Sequence, residues 1–143
     1  MFREEYNKTN LILYEVEKTS KFEILYISVL KPDPNKNEVI ENLDILNKYM
    51  QDAHNNNTLF YMFYDIKKVN KMISTDFLSK LIKMLKNNKK ILETNLIKTV
   101  IINSGLIVKS LCKIIFFLYT PVKPFEYANS IKEAKEILFR PNK

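Results

Sequence analysis

The chain has 143 residues, 46% hydrophobic and 27% charged, with a formal net charge of +7, one Gly, one His, one Cys and no Trp. Gly105 alone cannot build a Gly-rich phosphate loop or a nucleophile elbow, and His54 with Cys112 cannot make a His/Cys zinc site or an intrachain disulfide. The charge is carried by 21 Lys and only 2 Arg beside 16 Asn and 17 Ile; AT-rich codons favour that mixture, and the scarcity of Arg, the bidentate reader of phosphate and guanine, argues against a nucleic-acid partner.

Leu11–Glu17 and Phe22–Leu30 are rich in β-branched and aromatic residues and are separated by the short polar link Lys18–Lys21, which predicts a hairpin. Lys31–Asn37, with two prolines and two asparagines, is a loop. A helix follows over Glu38–Ala53, where Val39, Leu43, Leu46, Met50 and Ala53 share one face; His54–Asn57 ends it, with His54 expected in a solvated loop. Thr58–Asp65 is a nearly continuous apolar strand of the kind buried on both faces of a sheet. Ile66–Ser74 is a polar connection, and a second helix runs over Thr75–Leu92, with Phe77, Leu78, Leu81, Met84 and Leu85 inward. Lys98–Asn103 is another buried-type strand, and Leu106–Tyr119 a third helix, apolar almost all round. After the turn at Pro121 and Pro124 come a short strand, Phe125–Ala128, and a last helix, Ser130–Phe139, opened by a Ser130/Glu133 capping box.

The order ββαβαβαβα predicts one α/β domain over residues 1–143, its core within 11–139. Its sheet is expected to be mostly parallel, with about five strands, an opening hairpin and four helices. Met1–Tyr6 is charged rather than apolar, and the longest strongly apolar run, Ile114–Tyr119, is far shorter than the roughly 20 residues of a membrane-spanning helix. A cytoplasmic protein is therefore expected.

The stretch from Asp65 to Asp76 resembles the core signature of the STAS domain, found in anti-sigma-factor antagonists and in the tails of sulfate transporters. Asp65, Ile66, Val69, Met72, Ser74 and Thr75 stand in its register; Ile73 replaces the family's Asp before the serine, and Asp76 its Gly. The resemblance implies a non-enzymatic regulatory module, docking a protein partner near the start of the second helix at Asp65 and Asp76, with Ser74 or Thr75 as phosphorylation site. A hydroxyl at a helix N-terminus faces unpaired amides that favour phosphate. The plain alternatives are an N-cap for Ser74 or Thr75 and a turn residue for Asp65. The segment Val100–Pro124 is similar to the CRAL-TRIO lipid-exchange family: Ile102 and Asn103 end a strand before an apolar helix, and Lys123, Pro124 and Phe125 make the turn after it. That second resemblance implies a small lipid- or membrane-surface-binding protein.

Lys80, Lys83, Lys86 and Lys90 form the basic side of the second helix and are candidates for an anionic surface or lipid headgroups, the alternative being an ordinary solvated face. The third helix is a candidate dimer, partner or lipid contact, with Lys109 and Lys113 keeping one stripe wet. No nucleophile–base pair or metal cluster can be assembled from the residue types present, so no catalytic residues, metal or cofactor are expected.

Overall fold

The computed structural model describes residues 3–69, 75–102 and 105–138. Its elements in chain order are β1 (Glu4–Lys8), β2 (Ile12–Lys18), β3 (Glu23–Val29), α1 (Lys36–Asn55), β4 (Phe60–Asp65), α2 (Thr75–Asn87), α3 (Lys89–Thr94), β5 (Leu96–Ile102), α4 (Leu106–Leu118), β6 (Phe125–Ala128) and α5 (Ile131–Ile137). The chain is α/β as expected. Among the described residues the sheet is mixed rather than mostly parallel and has six strands rather than about five, in spatial order β1-β2-β3-β4-β5-β6. β1, β2 and β3 pair antiparallel, and β3, β4, β5 and β6 pair parallel.

Three differences from the sequence reading have local causes. The extra strand β1 (EEYNK) has a single apolar residue and is held at the sheet edge by backbone pairing with β2, bulged beside Tyr6. The expected second helix is two helices, giving five among the described residues. Asn88 interrupts it: its side-chain amide donates to the Met84 carbonyl and to Asn47 Oδ1, both at 2.8 Å, and accepts from Gln51 Nε2 at 3.1 Å. Lys90 therefore lies on α3, apart from Lys80, Lys83 and Lys86 on α2. At α5, Ser130 Oγ accepts from the Glu133 amide at 3.1 Å, but the Glu133 carboxylate takes the Asn129 amide at 3.2 Å instead of returning to Ser130. The complete capping box is at α1, between Asn35 and Glu38.

Each parallel connection steps one strand further in the same direction. Right-handed crossovers then put α1, α2, α3 and α4 on one face of the sheet. There Tyr14, Leu25, Phe60 and Met62 pack under Leu46, Tyr49 and Met50 of α1 and Leu92 of α3. On the opposite face Ile24, Tyr26, Phe63, Val100 and Ile102 pack against Ala134 and Ile137 of α5. Glu17, 4% exposed, lies on that side, accepting from the Tyr26 hydroxyl and the Lys135 ammonium, both at 3.0 Å. Lys98, 5% exposed, donates to Glu126 Oε2 at 2.9 Å. Among the described residues no helix is long and apolar enough to cross a membrane.

Candidate functional site

The helical layer does not close completely on the sheet. Phe77, Leu81 and Leu85 of α2 are only half-buried although they point inward, because they border a partly open cavity of about 290 Å³. Its roof is α2, with Leu43 and Leu46 of α1 and Leu111, Ile115 and Phe116 of α4. Its floor is Met62 and Tyr64 of β4 and Thr99 and Ile101 of β5. At roughly 30 Å³ per water-sized group, that volume holds about ten such groups, the bulk of one acyl chain. The lining is almost wholly apolar, a surface that water gains little by wetting.

The polar atoms around Asn42 in the wall are committed to the protein. Tyr14 Oη donates to Asn42 Oδ1 at 2.9 Å, Thr9 Oγ1 donates to the same oxygen at 3.0 Å, and Asn42 Nδ2 donates to the Glu38 carbonyl at 2.7 Å. No buried side-chain polar atom among the described residues lacks a partner. The interior therefore offers a ligand mainly apolar contact area. Among the described residues, charge enters the lining only through Lys31 and Lys123, with no Asp or Glu. Lys31 is held by Glu38 Oε2 at 2.6 Å; Lys123 is half-buried.

The candidate residues fall in different places. Ser74 lies outside the described residues, and of Thr75 only its position at the start of α2 is described. Asp76, in the first turn of α2, pairs with Lys80 at 3.0 Å. Asp65 ends β4, and its Oδ1 accepts from the Lys67 amide at 3.2 Å, the geometry of an Asx turn. Lys83, Lys86 and Lys90 are exposed, and none of the four candidate lysines lines the cavity. His54 is not in a loop. It sits in the last turn of α1, half-buried, with Nδ1 2.9 Å from Asn95 Oδ1. Because Asn95 Nδ2 donates to the Thr58 carbonyl, the oxygen faces His54, and the ring nitrogen is the donor.

Of the residues that build the cavity, sequence reasoning placed Phe77, Leu81 and Leu85 on an inner face and Lys123 in a lipid-family turn. It assigned no role to Lys31, Asn42 or Tyr14, whose spacing carries no signal of a shared wall. Burial pushes the Cys112 thiol up, opposed by a hydrogen bond with Tyr127, so Cys112 remains a protonated lining group at neutral pH. Tyr127 is itself pushed up to about 12 by burial and by that same contact. Among the described residues no group of three or more His, Cys, Asp or Glu is arranged to hold a metal ion. No family model, curated protein or solved structure matches the chain.

Proposed function

We propose that the protein is a non-enzymatic carrier or sensor of a single-chain amphiphile, its apolar tail lying between the sheet and the helical layer and its anionic head near Lys123. The observation that carries this reading is the cavity of about 290 Å³, almost wholly apolar and, among the described residues, charged only at Lys31 and Lys123. Pockets for small molecules have this character, large apolar walls with a few polar groups to orient the ligand, and begin at about this size. The similarity of Val100–Pro124 to the lipid-exchange family points the same way.

Two measurements test it. A native mass spectrum of the protein from its own cell is expected to carry an added mass of a fatty acid or lysolipid. A fluorescent fatty-acid analogue is expected to bind the stripped protein and to be lost in Leu81→Trp, which fills the cavity from α2 while leaving a cooperative melt. A ligand-free spectrum together with unchanged analogue binding by Leu81→Trp would sink the proposal.

Docking of a protein partner at the start of α2, in the manner of a STAS module, is the second reading. It is supported by the Asp76 side chain, which is 68% exposed beside the Ser74 segment. The same native spectrum separates the two readings, since a bound protein mass in place of a lipid mass favours this one.

A further inference from the structure

α4 has two apolar faces, and the protein uses only one of them. Leu111, Cys112, Ile115 and Phe116 turn inward to the cavity wall. On the outer side Phe117 is 90% exposed, Leu106 86% and Leu118 51%, with Ile107 and Ile114 also exposed. Leu106, Ile114, Phe117 and Leu118 lie on one side of the helix, with the small Ser110 between Leu106 and Ile114, so they share a face rather than being scattered over the surface. Such a stripe is costly to leave in water unless something covers it.

The charges around the stripe indicate what does. From Gly105 to Lys123 there is no Asp or Glu, and the three charged residues are Lys109, Lys113 and Lys123. Lys109 and Lys113 are exposed along one margin of the stripe, and the Lys109 ammonium sits 5.6 Å from the centre of the Tyr127 ring. Long lysine stems can lie along apolar surface while their ammonium groups stay at a polar boundary. An apolar helix face that carries two lysines and no acid of its own, and borders a half-exposed tyrosine, is complementary to an anionic bilayer surface, with the rings and aliphatic groups at acyl depth and the ammoniums among phosphates. A second copy of the chain fits less well, because it would bring the same uncompensated lysines together.

We infer that the outer face of α4 docks on anionic phospholipid bilayers, with Leu106, Ile114 and Phe117 inserted and Lys109 and Lys113 at the headgroups. This docking is carried by the surface alone and does not depend on the cavity being a ligand site. It also puts α4, a wall of that cavity, against the membrane.

The test is flotation of the full chain with vesicles of phosphatidylcholine, alone or mixed with phosphatidylserine. The protein is expected to float with the mixed vesicles and weakly with the neutral ones, and added salt is expected to reduce the difference. Phe117→Glu is expected to weaken binding by about tenfold or more, and Lys109→Glu with Lys113→Glu by a similar factor on mixed vesicles only. All of these side chains are on the surface, so circular dichroism and the melting curve are expected to stay unchanged. Three results would each overturn the inference: no flotation with mixed vesicles, flotation of Phe117→Glu equal to that of the parent, or a solution dimer that Phe117→Glu turns into a monomer.

Discussion

Glu17 shows how much one side chain can tie together. It is the buried acceptor between the Tyr26 hydroxyl of the sheet and Lys135 of α5. Burial works against its charge, but the hydrogen bonds from Lys135 and Tyr26 outweigh burial and hold its carboxyl below the usual range. A carboxylate depressed on folding contributes stability that is complete above its unfolded value of about 4.3 and is lost as the pH falls through the lower folded value. The melting temperature of the parent is expected to fall as pH drops from about 5 to 3, where the unfolded chain takes up the extra proton. Glu17→Gln is expected to melt lower at neutral pH and to show a flatter acid limb. Equal slopes for the two proteins would mean that other carboxylates govern acid unfolding.

Among the elements, the join between α2 and α3 is the most informative. Asn88 is 2% exposed and its amide satisfies the Met84 carbonyl, Asn47 and Gln51 at once, so the bend that separates the helices is also the polar tie that fastens them to α1. Asn88→Ala leaves the Met84 carbonyl without its side-chain donor at a buried site. It is expected to cost about 2 kcal/mol in urea unfolding, where Asn87→Ala on the exposed side of the helix costs a few tenths.

The same region marks the limit of what the sequence disclosed. The hairpin and β6 were legible from β-branched and aromatic residues bounded by turn residues, β4 and β5 as buried-type apolar runs, and α4 as a longer run that is apolar almost all round. β1 was not, since backbone hydrogen bonds at a sheet edge leave no apolar pattern. Nor was the helix break, because one Asn among polar neighbours reads the same on a surface as in a core. The cavity was the least legible feature of all. Phe77, Leu81 and Leu85 are inward-facing in either case, and whether they close on Met62 and Ile101 or stand off from them depends on how three helices rest on the sheet. The exposed side of α4 was visible only as excess hydrophobicity, with its direction undecided.

For the whole molecule, the unfilled volume is an energetic matter. At about 24 cal/mol per Å³, an enclosed apolar void of about 290 Å³ would forgo about 7 kcal/mol, comparable with the full stability of a small domain. The actual loss is smaller because the cavity is partly open. A ligand that fills it restores contacts in the native state alone and so raises the melting temperature with ligand concentration. A medium-chain fatty acid is expected to do this for the parent and not for Leu81→Trp. A parent melting curve indifferent to added fatty acid at concentrations below its micelle formation would count against a tail in the cavity.

The consecutive strand order has a kinetic side as well. Every strand pairs with the strand next to it in sequence, from β1 through β6, so no connection has to arch over a strand already in place. Loop-closure entropy is met in short instalments, and the growing sheet always presents its next edge to the segment that follows. A chain emerging from the ribosome N-terminus first can add its strands in the order in which they are made. α4, the helix with an apolar face left over, enters this sequence late, after β4 and β5 have laid most of the floor under its inner side and before β6 adds Phe125 against Phe116.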